Sequence, residues 1–340
     1  MTSREKIYKI LSLENNSGKT GFWTGNPHVD TYKLYFDQLN MQTAEELFTY
    51  LNDDCRWIPS DFGYKHPEGK PMFSTKADNA SIGGGMNEDC RFAGAETLAD
   101  IEKYEWPNPD YLDFTDVYNA IEQHKDKAVF TGFWTCSFHI IADFFGMEEY
   151  FIKMYENPEI VDAVTERVID FYAVANERFF AGLGDRADTF FFGNDLGTQL
   201  STLISKKQFE RFIMPGFKKN IDIAKKYNKK VMIHSCGAIK EFIPLFIDLG
   251  IDGLHPLQAK ATDMDAETLS REFKGKIAFM GGIDTQDLLI RYNPSQIKEE
   301  VKRVKNLLGK NTIISPSHEA LLANVPLANV IAMSEAALED

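Results

Sequence analysis

The chain has 340 residues, 44% hydrophobic and 26% charged, the balance of a folded globular protein rather than of a disordered or fibrous one. Its 51 acidic against 37 basic side chains give a formal charge of -14, which leaves no basic footprint for nucleic acid. Four scattered cysteines exclude a disulfide framework and a CxxC site. No apolar run reaches the length of a membrane span, and Met1-Thr2-Ser3-Arg4-Glu5-Lys6 lacks the apolar core of a signal peptide, so a reducing cytoplasm is the expected location.

Thr2-Ser3-Arg4-Glu5 is a capping-box pattern that predicts a helix through about Leu13. Phe22 to His28 is a candidate first strand with its following loop. Thr43-Ala44-Glu45-Glu46 opens a second helix to about Asn52. Asp61 to Asp89, rich in Gly, Pro, Lys and Asp and containing Gly83-Gly84-Gly85, reads as a long excursion, either a linker or a loop folded over a site.

After about residue 125 strands and helices alternate. Ala128–Phe130, Thr189–Phe192, Lys230–His234, Ile251–His255, Ile277–Met280 and Thr312–Ser315 read as strands. Between and after them helices are predicted over Ser137–Tyr155, Asn157 to Gly182 or Gly184, Ser205–Tyr227, Ala238–Leu249, Asp265–Phe273, Thr285–Tyr292, Pro294–Leu308 and Pro326–Leu338. Repeated strand–helix units imply a parallel sheet with right-handed crossovers. The expected fold is an α/β (β/α)8 TIM barrel with an N-terminal helical extension, one domain over residues 1–340, residues 1–125 holding the extension and the excursion. A doubly wound sheet is the alternative, but no G-x-G-x-x-G follows a strand.

The polar residues capable of chemistry cluster just after strands, at the C-terminal mouth where barrel enzymes keep their sites. His234-Ser235-Cys236-Gly237 follows Val231-Met232-Ile233, and residues i and i+2 of an extended chain share a face, so imidazole and thiol project together. An imidazole nitrogen and a soft thiolate suit Zn²⁺. The competing reading is a buried cysteine beside a hydrogen-bonded histidine. His318 follows the last strand and could supply a third ligand, leaving one position open as in catalytic zinc sites. Asp195 and His255 compete as fourth ligand, as partners of a ligand, or as general base. Their bland roles are a turn-capping aspartate and a loop histidine, and Asp284 reads most simply as a helix cap. Asn194, Gln199, Gln258 and Trp134 are the expected substrate contacts.

These residues carry a resemblance. Ser3-Arg4-Glu5-Lys6, Gly193 to Gln199 (GNDLGTQ), His234-Ser235-Cys236-Gly237, Met280 to Asp284 and Pro326-x-x-Asn329-x-x-Ala332 are similar to the uroporphyrinogen decarboxylase superfamily, and His-x-Cys to its corrinoid-dependent zinc methyltransferase branch. Similar methyltransferases place a further Cys after the last strand. Here the segment reads Ser315-Pro316-Ser317-His318, so the resemblance implies that His318 takes that place. The decarboxylases carry an Arg-rich segment after the first strand to grip a polycarboxylate. Trp23 to His28 has no Arg, which argues against a porphyrinogen substrate.

The resemblance implies methyl transfer from a small-molecule donor to the Co(I) corrinoid (cobalamin) of a separate partner protein, with zinc as Lewis acid. One thiolate and two neutral imidazoles leave the zinc cationic, which favours an oxygen leaving group and hence O-demethylation of an aromatic methyl ether. The alternatives are methylcorrinoid:thiol transfer of the coenzyme M type, a metal-free decarboxylase-like enzyme using Asp195 and His255, and a binding protein on a barrel scaffold.

Overall fold

The computed structural model describes residues 1–73 and 90–339. Eight parallel strands run β1 Gly21–Phe22, β2 Cys55–Trp57, β3 Ala128–Thr131, β4 Thr189–Gly193, β5 Lys230–His234, β6 Gly253–Leu257, β7 Ala278–Ile283 and β8 Thr312–Pro316. They lie in the order β1-β8-β7-β6-β5-β4-β3-β2, with helices between successive strands: a nearly closed (β/α)8 barrel.

The seam between β1 and β2 carries no ladder of its own. Asp54 N–H donates to the Phe22 carbonyl at 3.0 Å. The Asp54 carboxylate accepts Phe22 N–H at 2.9 Å and that of Asp53 accepts Thr24 N–H at 2.6 Å. Both aspartates are buried, Asp54 against Lys6 and Asp53 facing Arg56. β2 was not legible in the sequence: it is three residues long, follows two aspartates and has an arginine at its centre.

Inside the barrel Trp23, Cys55, Ala128, Phe130, Phe191, Met232, Ala278, Met280 and Ile313 form one buried cluster, joined by Ile7, Ile10 and Leu11. The last three belong to helix Ser3–Leu11, whose capping box forms as read, and which plugs the barrel's N-terminal end. Arg4 ties it there, its guanidinium on Asp188 just before β4. The outward strand residues pack on the helices as a second, larger core.

The predicted helix Ser137–Tyr155 is two, Ser137–Phe145 and Met147–Glu156, broken at Gly146 where φ is +80°. Ala238–Leu249 is shortened to Lys240–Phe242 and Ile243–Asp248, and Thr285–Tyr292 to Leu288–Arg291. Of the excursion, the turn Ser60–Gly63 and a bridge from Tyr64 to Leu112 are described; Gly83-Gly84-Gly85 lie outside the described residues. Among the described residues no helix is long and apolar enough to cross a membrane.

Candidate functional site

Strand parity builds the site. On β5, Met232 points into the barrel, so His234 and then Cys236 continue the inward series at the mouth. On β4, Phe191 points inward, and Asp195 follows in the same parity. His234 Nε2 lies 3.1 Å from Asp195 Oδ1 and 3.3 Å from Cys236 Sγ. Asp195 Oδ1 also accepts Cys236 N–H at 3.0 Å, which locks the two loops. Zinc holding nitrogen at about 2.0 Å and sulfur at about 2.3 Å in a tetrahedron requires a nitrogen–sulfur edge of roughly 3.5 Å. The Asp195, His234 and Cys236 donors therefore fit one ion, and their mix of oxygen, nitrogen and sulfur is a zinc set.

The other ring nitrogen of His234 is also engaged. Its Nδ1 lies 3.0 Å from His255 Nδ1 and 3.7 Å from Glu319 Oε2. These donors, His234, His255 and Glu319, form a second close group on the opposite side of the ring. A metal-ligating histidine ordinarily gives its second N–H to a carboxylate or another acceptor, which fixes the tautomer. On that pattern an ion held by Nε2 would leave Nδ1 to the anchoring groups.

Electrostatics follow the same division. Burial alone would lower the His234 pKa, but Glu319, Cys236 and Asp195 hold it well above the ordinary imidazole value. His255, wholly buried beside His234 and near His318, is pushed well below it. The opposite shifts make His234 the donor and His255 the acceptor of the hydrogen bond between their Nδ1 atoms. Partial burial would raise the Asp195 carboxyl, but His234 and His139 hold it below the usual range. Burial pushes the Cys236 thiol up to about 11 against the pull of His234. His255 Nε2 and Glu319 Oε2 are buried with no hydrogen-bond partner among the described residues.

Aromatic rings enclose the histidines. Trp134 lies 5.2 Å from His234 between centroids, and Trp23 lies 5.1 Å from His255. Phe191 touches both, and Trp57 packs on Trp134 at 5.0 Å. Gly193 makes room for Trp134, since a Cβ there would meet the indole at 2.2 Å.

Several expected site residues stand elsewhere. His318 lies outside both donor groups: its Nδ1 accepts Ala320 N–H at 3.1 Å, and its side chain is 40% exposed. Glu319 reaches inward in its place. Parity could have found it, because Ile313 faces the barrel interior and Glu319 shares its parity where His318 does not. Asn194 spends its side chain on internal hydrogen bonds. It is fully buried, accepts Phe138 N–H at 2.7 Å and donates to the Thr135 carbonyl at 2.9 Å, stapling β4 to the loop after β3. Gln199 is exposed and pairs through its backbone carbonyl with Thr262. Gln258 accepts Gly237 N–H at 2.9 Å beside the cysteine and lines the mouth. His255 stands against His234 Nδ1 at 3.0 Å, the place of a ligand's partner among the roles the sequence left open for it. Asp284 is the helix cap of its simpler reading, accepting the N–H groups of Gln286, Asp287 and Leu288.

Among solved structures, the chain is similar to a methyltransferase from Methanosarcina mazei, at 14% identity over 99% of this chain and 98% of that one, with a TM-score of 0.68. It also aligns with the putative vitamin-B12 independent methionine synthase from Listeria monocytogenes, at 12% identity, 88% and 92% coverage and a TM-score of 0.41. No curated protein matches the chain. The family described as Uroporphyrinogen decarboxylase (URO-D) matches residues 90–339, and the chain belongs to that family.

Proposed function

We propose that this protein is a zinc-dependent methyltransferase that passes a methyl group from a small donor, an aromatic methyl ether, to the Co(I) corrinoid of a separate partner protein. The observation that carries the reading is the Asp195–His234–Cys236 donor set at the barrel mouth. The name of the Methanosarcina relative supports the class. The segment after β1 supports it against a porphyrinogen substrate: where a polycarboxylate needs cations, Trp23 packs edge-on against His255 and no Arg occurs through His28.

Asp195, His234 Nε2 and Cys236 would hold the zinc, which would supply Lewis acidity to the oxygen of the departing group. Cys236 must ionise and His234 must lose its Nε2 proton before either serves as a ligand. His255 and Glu319 act as positioning residues: His255 Nδ1 accepts the His234 Nδ1–H, Glu319 adds negative charge 3.7 Å away, and together they leave the Nε2 lone pair for the ion. Trp134, Trp57 and Phe191 exclude water and offer apolar walls to an aryl ring. In the transfer the partner's Co(I) supplies the electron pair of the new cobalt–methyl bond and becomes Co(III), the methyl–oxygen bond breaks with its pair staying on oxygen, and the phenolate takes a proton from solvent.

A set of one thiolate, one carboxylate and one imidazole makes the zinc site neutral, not cationic as with two imidazoles. The charge argument for an oxygen leaving group is weaker, and this neutrality favours a second reading, methyl transfer from the corrinoid to a thiol. The hard carboxylate oxygen still keeps the metal a harder acid than a second thiolate would. One assay separates the two. Protein, zinc, a reduced corrinoid protein and a panel of aryl methyl ethers should consume Co(I) absorbance and release phenol, with His255→Ala and Asp195→Asn at least tenfold slower. No change with any ether, together with demethylation of the methylated corrinoid protein by a thiol, overturns the O-demethylase reading in favour of the second. Inertness in both directions overturns the methyltransferase.

A further inference from the structure

A cavity of about 360 Å³ opens beside the donor groups, between the loops that follow β6, β7 and β8. It is the size for one small molecule. Gln258, Ser317 and His318 line the side next to the metal donors, and Lys260, Thr285 and Asn324 line the remainder. Its lining sets one exposed cation, Lys260, against one buried acid, Asp284. The chain carries 14 more acids than bases, and most of its lysines are matched to an acid, as Lys240 is to Asp263 and Glu272. Lys260 is exposed and has no ion-pair partner among the described residues.

The carboxylate that shares the cavity does not neutralise it at close range. Asp284 is 6% exposed and already accepts three backbone N–H groups. The remaining polar groups can donate. Ser317 Oγ accepts Thr285 N–H at 3.1 Å and lies 3.4 Å from Thr285 Oγ1, so the two hydroxyls share one hydrogen bond and one of their protons is left for the cavity. Asn324 and Gln286 add amide N–H groups, and Ile290 and Leu322 supply an apolar side. A wall with one unmatched ammonium, hydroxyl and amide donors and a saturated carboxylate is built for an anion attached to a small apolar body.

We infer that this cavity binds the anionic end, a carboxylate or a sulfonate, of the small molecule whose methyl-bearing or methyl-accepting end reaches the metal donors, with Lys260 as its counter-ion. The inference rests on the proposed methyltransferase site for the identity of the other end. The anionic end is argued from the cavity alone. An ammonium is a point charge that tolerates either oxyanion, so the cavity accepts both a carboxylated aryl ether and a sulfonated thiol.

Calorimetric binding to the zinc-loaded protein, without any corrinoid, tests it. The compounds are 4-methoxybenzoate and 2-mercaptoethanesulfonate, each beside its neutral counterpart, 4-methoxybenzyl alcohol and 2-mercaptoethanol. Wild-type protein should bind at least one anion about tenfold or more tighter than its neutral partner, which is the scale of one charge-assisted contact. Whichever pair shows the preference identifies the source, aryl ether or thiol. Lys260→Gln should abolish the preference, and Lys260→Glu should invert it in favour of 4-methoxybenzylamine. Equal affinities in wild type, or a preference that survives in both variants, overturns the inference. The outcome is separable from the function. A Lys260-dependent preference without methyl transfer to or from any corrinoid removes the methyltransferase and keeps the anion site. Transfer that proceeds equally with neutral compounds and with Lys260→Gln does the reverse.

Discussion

Gly237 closes the His-Ser-Cys-Gly stretch, and replacing it tests whether the donor geometry depends on the contact between two loops. Its φ is +89°, and a Cβ there would lie 2.3 Å from the Gly197 carbonyl carbon and 2.4 Å from its oxygen. Gly197 meets the same constraint from the other side, 2.8 Å from Ala238 N and 2.9 Å from the Cys236 carbonyl. The two loops are backbone against backbone, so neither can yield by rotating a side chain. Gly275 is the control: its φ is +78°, but nothing lies within 4 Å of its Cβ position. Left-handed backbone costs an alanine about 1–2 kcal/mol at either position. Overlap with fixed atoms adds about 1–3 kcal/mol. Gly275→Ala should therefore lose about 1–2 kcal/mol and Gly237→Ala about 2–5 kcal/mol in urea unfolding. The displaced loop carries the 3.0 Å bond from Cys236 N–H to Asp195, so Gly237→Ala should also weaken zinc about tenfold or more in competition with a chromophoric chelator, and Gly275→Ala should not. Equal losses of stability and unchanged zinc affinity in the two variants would refute the interlocked-loop argument.

Metal analysis of protein purified without chelator should show about one zinc per chain, lost in Cys236→Ala and kept in His318→Ala; retention in the first would remove Cys236 from the ligand set, and loss in the second would return His318 to it. Glu319→Gln should keep the metal but weaken it about 10–100-fold, because the negative charge 3.7 Å from His234 Nδ1, which holds the proton on that nitrogen, is removed. Asp53 makes stability fall with pH. Burial raises its carboxyl to about 6 from 3.8, although Cys55 and Thr24 N–H groups and Arg56 pull the other way. The folded state therefore holds the proton more tightly. The stabilisation is complete below pH 3.8 and lost as pH rises through 6, about 3 kcal/mol in all. The unfolding free energy of Asp53→Asn minus that of wild type should rise by that amount between pH 3.5 and 7, and a flat difference would count against it.

Much of the barrel was legible because its signals are local. Buried parallel strands such as Phe190-Phe191-Phe192 and Val231-Met232-Ile233 are short apolar runs, and Thr2 and Thr43 announce their helices through reciprocal caps. The His234–Cys236 pair was legible for the same reason, since two residues on one strand share a face whatever the remainder of the chain does. β2 was not, because Arg56 in a three-residue strand is acceptable only once Glu45 and Asp53 stand beside it. The partners of His234 also come from elsewhere, Asp195 from β4, His255 from β6 and Glu319 from beyond β8. Which of two adjacent residues turns inward, Asp195 over Asn194 or Glu319 over His318, depends on the phase of each strand against its neighbours. That phase is set by the closure of the barrel, where every strand must present alternate side chains to one shared interior, and no single stretch of sequence contains it.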